Sequence, residues 1–232
     1  MQWSVSFGLL LLCYIMGSIP FGLIFVKVTT GKDIRTIESG RTGGTNAMRA
    51  AGFWTGLATA IMDLLKGAAA VWLARWVSGE NAWLHVLAPL AAILGHNHSI
   101  FLPERRANGR LHLRGGAGGA PCAGGTLGLW APGLFIFLPI GGLIFYFGGY
   151  ASITTLSTAF ISMVIFTVTW LTGFTPWQYI LYGFFALILL TLALRPNIIR
   201  LIEGNERVVG FRAKKKEKDH SSSSSNSSSS SS

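Results

Sequence analysis

Charge is scarce in this chain of 232 residues: only 12% of side chains are Asp, Glu, Lys or Arg, where a soluble domain carries roughly 25%. Acidic groups are scarcest, nine against nineteen Lys and Arg. The few charges are bunched between Lys27 and Arg49, between Glu104 and Arg114, and after Arg195, leaving long stretches almost free of them. Half of the residues are hydrophobic and the mean hydropathy is +0.49, so a soluble core is excluded. Cysteine is nearly absent too. Cys13 and Cys122 lie in apolar or small-residue segments without metal-like spacing, which speaks against a disulfide framework or zinc site and leaves both as packing residues. No G-x-S-x-G elbow supports a serine–histidine nucleophile. No carboxylate or histidine cluster in the loops suits magnesium or zinc, so neither a metal nor a cofactor is expected. The net charge of +10 does not imply nucleic acid, because the basic residues do not alternate with aromatics on a polar surface. The amino end has neither a basic n-region nor a small-residue cleavage site, and reads as a retained first helix rather than a signal peptide.

What is present is a series of apolar stretches near the roughly 20 residues that cross a bilayer: Trp3 to Val26, Phe53 to Val77, a shorter one from Ala82 through Leu94 extended by Gly95 and His96, a long small-residue stretch from Gly115 to Gly149, Ala151 to Leu171, and Trp177 to Leu194. Cytoplasmic loops carry an excess of Lys and Arg. Lys27, Lys32, Arg35, Arg41 and Arg49 therefore place the first loop inside; Arg75 against Glu80 suits outside; Arg105, Arg106, Arg110 and Arg114 return the chain inside. The tail is basic as well (Lys214, Lys215, Lys216, Lys218), so an even number of crossings must separate Gly115 from Arg195. Breaking the long stretch at Pro132-Gly133, a turn signal, supplies it. The expectation is an all-α polytopic membrane protein of about seven helices over residues 1–207, amino end outside and carboxyl end inside, with glycine- and arginine-rich cytoplasmic loops. Residues 208–232, basic and then serine-rich, are expected to be a disordered tail.

Two loop segments carry the polar chemistry. Glu38-Ser39-Gly40-Arg41-Thr42-Gly43-Gly44-Thr45-Asn46-Ala47-Met48-Arg49 packs hydroxyls, an amide, arginines and glycines into twelve residues. Glycines let successive N–H groups converge on an anion, and a helix amino end capped by Thr45 or Asn46 would add potential for phosphate. Arg114-Gly115-Gly116-Ala117-Gly118-Gly119-Ala120 is the second: its backbone suits either close approach to a ligand or tight helix packing. Both fall on the same inferred side, which favours one composite site. Asp63 and Lys66 share a helix face at i, i+3, either as an internal salt bridge or lying shallow enough to meet the first loop. His96 and His98 do not share a face; no metal is expected there, and His96 is read as a hydrogen-bonding group at the loop base or an ordinary interfacial histidine.

Taken in order, these residues resemble the bacterial PlsY family, the membrane glycerol-3-phosphate acyltransferases that use acyl phosphate as donor. The matching pieces are Gly17-Ser18-Ile19-Pro20-Phe21-Gly22, Asp33-Ile34-Arg35, Ser39-Gly40, Thr45-Asn46 with Arg49, Asp63 with Lys66-Gly67, Gly95-His96, Pro103, Gly115-Gly116 with Gly118, Ala151-Ser152-Ile153-Thr154, and Asn197 with Arg200, Gly204 and Glu206. They run in family order from about residue 10 to 207. The resemblance implies a seven-helix topology in the bacterial inner membrane and acyl transfer from acyl phosphate to glycerol 3-phosphate, giving lysophosphatidic acid for phospholipid synthesis. A soluble acyl-phosphate-producing enzyme is an implied partner, beside membrane lipids. Carried over by position, Ser39, Thr45, Asn46 and Arg49 would bind phosphate, Gly115, Gly116 and Gly118 would approach it through backbone, and Ser152 and Asn197 would contribute from later helices. Lys66, His96 and Arg195 join the expected substrate-binding set. The chain departs from the family where Ala117 replaces a lysine, Leu194 a histidine and Arg41 an asparagine. The expectation is that one of Arg41, Arg110 and Arg114, foremost Arg114, reaches the phosphate with its planar fork in place of the missing lysine; the alternative is that all three only obey the positive-inside rule and point into solvent. The rival readings are a related membrane enzyme with altered donor or acceptor and a non-catalytic lipid- or anion-handling membrane protein.

Overall fold

The computed structural model describes residues 3–105 and 109–208. Arg106 and the basic, serine-rich segment 209–232 lie outside the described residues, and with them the expectation of a disordered tail. Nine α-helices lie within the described part: α1 (Trp3–Ser18), α2 (Phe21–Thr30), α3 (Gly44–Ala51), α4 (Phe53–Ser78), α5 (Ala82–Asn97), α6 (Gly119–Leu129), α7 (Gly133–Leu143, continued by one π turn to Gly148), α8 (Ala151–Leu171) and α9 (Gln178–Ile202). Four apolar helical stretches are long enough to cross a membrane: α1 with α2 (Trp3–Thr30), α4, α8 and α9. Much of their outer surface is bare hydrocarbon, including Phe7, Phe160, Val168 and Leu192, as expected where the solvent is lipid rather than water. The protein is a multi-pass membrane protein.

The structure departs from an all-α reading in one place. Between α5 and α6, β1 (Pro103–Arg105) and β2 (Leu111–Leu113) pair antiparallel, Pro103 opposite Leu113. A long connection at a membrane face must satisfy its own backbone groups, and the pairing does so for this one. The expected break at Pro132-Gly133 is where α6 and α7 separate.

The first apolar stretch is not one uninterrupted helix. Pro20 removes a backbone donor and parts α1 from α2, and side chains from elsewhere take up carbonyls at the break: Ser99 Oγ donates to Ser18 O at 2.6 Å, and Lys66 Nζ to Ile19 O at 3.1 Å. Such satisfaction is what makes irregular backbone tolerable at membrane depth. α2 ends at Gly31, whose φ of 71° closes the helix in the left-handed region.

Small residues set the helix spacing. A Cβ at Gly67 would stand 2.1 Å from Pro121 O, and one at Gly124 1.8 Å from Leu64 O, so α4 and α6 touch backbone to backbone. Gly17 and Gly95 bring α1 and α5 together in the same manner. Behind these contacts, Val71, Val86, Ile93, Phe166, Tyr182 and Leu190 form the largest buried apolar cluster, drawn from α4, α5, α8 and α9. Cys13 and Cys122 are both free and fully buried, packing residues as expected.

Candidate functional site: an anion cavity at one end of the bundle

The α2–α4 connection, the carboxyl end of α5, the amino ends of α6 and α8, and the carboxyl end of α9 enclose one cavity of about 400 Å³, within the range of small-ligand sites. Three helix amino ends face it. Gly43, Gly44 and Thr45 open α3, Gly118, Gly119 and Ala120 open α6, and Ala151 and Ser152 open α8. None of the three helices is capped by a side chain, so their first N–H groups are available to a ligand, and the partial positive charge of each end adds to the others. At α6 this depends on Gly118, whose φ of 88° is a conformation that L side chains rarely adopt.

Arginines supply the formal charge. Arg41, Arg49, Arg200 and Arg207 line the cavity, set against the carboxylates of Glu38, Asp63 and Glu206. Arg207 is paired with Glu38, the one non-glycine residue with positive φ (52°) among those described. Arg41 is braced: Nη1 donates to Gly116 O at 3.2 Å, and Nη2 to Ala193 O at 2.6 Å and to Asn197 Oδ1 at 3.1 Å. Burial, and then the nearby charge of Arg200, pull its pKa down to about 10, which still leaves it cationic at neutral pH. Arg49 is half-buried, with its pKa also lowered by burial. It has no hydrogen-bond or ion-pair partner among the described residues, so its fork is open to a ligand.

The carboxyl-terminal segment completes the wall. Gly204, at φ 73°, turns the chain back after α9, and Val208 pairs with Tyr150 at the start of α8. Glu206 is thereby buried between two helices, accepting from Ser152 Oγ at 2.5 Å and from Asn197 Nδ2 at 3.2 Å.

Below the cavity lies a buried ionic cluster. Lys66 Nζ stands 2.8 Å from Asp63 Oδ1 and 2.8 Å from His96 Nδ1. An ammonium can only donate, so His96 Nδ1 accepts and its proton is assigned to Nε2, the atom lying against Gly116. Asp63 and His96 reach the cavity wall, whereas Lys66 does not. The salt bridge and the contact with the first loop's cavity thus coexist.

Measured against the sequence expectations, Ser39, Thr45, Asn46, Arg49, His96, Gly118, Ser152 and Asn197 all line the cavity. Several do so differently from what was expected. Neither Thr45 nor Asn46 caps α3, because both already lie in its first turn; Gly43 is its N-cap. Asn46 is a buried clamp whose Nδ2 donates to the carbonyls of Ile34, Ile37 and Arg41. Gly115 and Gly116 are not in the wall. A Cβ at Gly115 would meet His96 O at 2.2 Å, and one at Gly116 would meet His96 Nε2 at 1.9 Å, so these two glycines serve packing against α5. Arg114 is turned away: its guanidinium lies 3.3 Å from Glu104 Oε1 and 3.3 Å from Arg35 O, tying the hairpin to the first loop. Arg195 is exposed on α9 outside the cavity, and Arg200 lines it in its stead. The sequence reading also left Asp63, Arg200, Asn205, Glu206 and Arg207 out of the expected binding set. For Asn205, Glu206 and Arg207 the usable signal is Gly204, because a glycine ending a helix before a polar stretch announces a reversal.

Fold and site together define an integral membrane protein with a positively biased cavity of small-ligand size at one end of its helices. A family model described as glycerol-3-phosphate acyltransferase matches residues 7–204, and the chain belongs to that family. It is 37% identical to "Glycerol-3-phosphate acyltransferase 3" of Dehalococcoides mccartyi strain CBDB1, over 87% of this chain and 94% of that one. It is 36% identical to "Glycerol-3-phosphate acyltransferase 2" of Moorella thermoacetica, over 88% and 97%. Its fold is similar to the crystal structure of PlsY (YgiH), an integral membrane glycerol 3-phosphate acyltransferase, in its glycerol 3-phosphate form: TM-score 0.74, 25% identity, 90% of this chain and 97% of that one. The lysophosphatidic acid form of the same enzyme matches at TM-score 0.72 and 25% identity, over 88% and 95%.

Proposed function

We propose that this protein acylates glycerol 3-phosphate with acyl phosphate as donor, giving lysophosphatidic acid and inorganic phosphate. The observation that carries the reading is the convergence of three uncapped helix amino ends and four arginines on one cavity, an arrangement suited to two phosphoryl groups at once. The acceptor's 1-hydroxyl oxygen bonds to the acyl carbon, the bond from that carbon to the phosphate oxygen breaks, and the hydroxyl proton ends on the departing phosphate. Acyl phosphate is already activated, so orientation and charge stabilisation supply the rate without a protein nucleophile. Ser39, Thr45 and Arg49 hold one phosphate at the α3 end. The backbone of Gly118, Gly119 and Ala120 holds the other at the α6 end. Ser152 and Asn197 act mainly through Glu206, fixing the wall between them.

The chain crosses the bacterial inner membrane seven times, amino end outside and carboxyl end inside, as one domain over residues 1–207, extended to Val208 by its bridge with Tyr150. Support comes from the basic loops and from the gathering of first-loop, α5–α6 and α9 ends around one cavity. The donor is delivered on that side by a soluble acyl-phosphate-producing enzyme.

Purified protein should form lysophosphatidic acid from palmitoyl phosphate and glycerol 3-phosphate, undiminished in EDTA and absent with acyl-CoA or acyl-carrier-protein donors. Faster turnover with acyl-CoA would overturn the donor assignment, and strict metal dependence would overturn direct binding by these residues. For sidedness, cysteines placed near Glu80 and Phe174 should label from outside intact cells, and those near Arg41 and Lys215 should not. Outside labelling at Lys215 would rule out seven crossings.

A further inference from the structure

Arg41 occupies a position that its loop alone does not explain. Its guanidinium has left the first loop and lies between the α6 glycine segment and α9, contacting Gly116 O, Ala193 O and Asn197 Oδ1. The Ala193 carbonyl belongs to the turn before Pro196, where the missing N–H and the ring loosen the helix. All three contacts are to uncharged oxygens. Among the described residues no carboxylate forms an ion pair with Arg41; Glu206 attracts it only from beyond Asn197, while Arg200 repels it. A largely desolvated cation without a direct counter-ion is costly, and the cavity it faces is where an anion would offset that cost. Ala117 and Leu194, the positions at which the sequence departs from the family resemblance by losing a basic group, line the same end of the cavity.

The two ends of the cavity differ in character. Around α3 the lining is Glu38, Ser39, Thr45, Arg49 and Arg207, polar throughout and suited to a small hydroxylated phosphate. Around α6 and α9 apolar Ala117, Ala120 and Leu194 stand beside Thr155 and Asn197, with Arg41 and Arg200 as the cations. An acyl chain arriving from the bilayer fits the second end.

We propose that Arg41 is the phosphate ligand for the acyl donor in this chain: a guanidinium held at the mouth of α6 that takes the donor's phosphoryl group and stabilises charge as phosphate departs. It supplies from the first loop the positive charge that Ala117 and Leu194 cannot. This rests on the acyl-phosphate reading above, which is tested first on the unaltered protein; if that protein fails to use acyl phosphate, the reading falls before any variant is made.

The test compares Arg41→Gln, Arg41→Lys and Arg41→Gln combined with Ala117→Lys. Glutamine can still donate to Ala193 O or Asn197, so the charge is removed with part of the brace kept. Arg41→Gln is expected to lower kcat/KM for palmitoyl phosphate ten- to thirtyfold, to leave KM for glycerol 3-phosphate within about threefold, and to weaken inhibition by inorganic phosphate against the donor. Arg41→Lys should keep most of the activity, and adding Ala117→Lys to Arg41→Gln should restore at least fivefold. A purely bracing Arg41 gives another pattern. Lysine would then be no better than glutamine, lysine at 117 would rescue nothing, and lost activity would follow the melting temperature. That pattern, or unchanged donor kinetics in Arg41→Gln, overturns the assignment; so does a loss confined to the glycerol 3-phosphate KM.

Discussion

Arg49→Ala is expected to lower kcat/KM for glycerol 3-phosphate roughly a hundredfold or more, with no change in melting temperature beyond a degree or two. Of the four cavity arginines, Arg41 is braced on three oxygens and Arg207 is paired with Glu38. Arg49 and Arg200 have no hydrogen-bond or ion-pair partner among the described residues, and of these two Arg49 is the more buried. Its partial burial, which lowers its pKa, also strengthens any bond it makes to a dianion. Charge-assisted hydrogen bonds are worth roughly 1.5–3 kcal/mol each, and a bidentate contact at the upper end of that range corresponds to about two powers of ten in rate. Because Arg49 makes no hydrogen bond or ion pair with the described residues, its removal should cost the fold little, which separates a ligand from a structural residue. Arg114→Ala is the matched control. Its guanidinium sits on Glu104 and the Arg35 carbonyl at a partly exposed site, where such pairs contribute about 0–1 kcal/mol, and acyl transfer should stay within about twofold of the unaltered protein. Reversal of the two outcomes would place the phosphate on the hairpin side and discard the cavity as the substrate site.

The largest expected loss of stability comes from Asp63→Leu. Asp63 and Lys66 are both almost fully buried, 2.8 Å apart, and neither Asp63 oxygen has a well-aligned hydrogen-bond donor, His96 Nδ1 lying 3.5 Å from Oδ1. The pair itself need contribute little, because two desolvated ions roughly consume what their attraction returns. Removing one partner is different. It leaves the Lys66 ammonium buried with only Ile19 O and His96 Nδ1 to accept from it, and breaking such a pair costs about 3–5 kcal/mol. Asp63→Leu should therefore unfold in detergent at markedly lower temperature. The double variant Asp63→Leu with Lys66→Leu should recover most of that loss, since no lone charge remains. Equal stability of single and double variants would mean that Lys66 finds another counter-charge. In the double variant His96 Nδ1 loses its donor, so the imidazole is free to change tautomer. Recovered stability without recovered activity would then mark His96 orientation as the contribution of this cluster to catalysis.

The amino-acid sequence by itself determined the environment and most of the element boundaries. Hydrocarbon tolerates few charges, so the positions of Lys27–Arg49, Glu104–Arg114 and the residues after Arg195 mark where the chain leaves lipid. The helices α4, α5 and α8 fall within a few residues of the stretches read from hydropathy. Pro132-Gly133 marked the α6–α7 break for a local reason, a chain reversal that needs no knowledge of neighbours. The first-loop glycines were legible as a candidate anion-binding loop, because backbone freedom is written in composition.

What the sequence left open was which side chain turns toward which neighbour. Gly115 and Gly116 look equally suited to a ligand or to a helix, and only the approach of His96 decides for packing. Arg41, Arg110 and Arg114 are indistinguishable as basic loop residues. Arg41 enters the cavity because α9, far away in sequence, presents Ala193 and Asn197 to it, while Glu104 and the Arg35 carbonyl draw Arg114 away. Glu206 becomes part of the wall only because Gly204 folds the chain back onto α8. Each of these outcomes depends on contacts between different elements of the fold, some of them more than a hundred positions apart in sequence. Their energies come from desolvation and the satisfaction of buried polar groups, which exist only once the helices have packed, so local sequence could name the participants but not their partners.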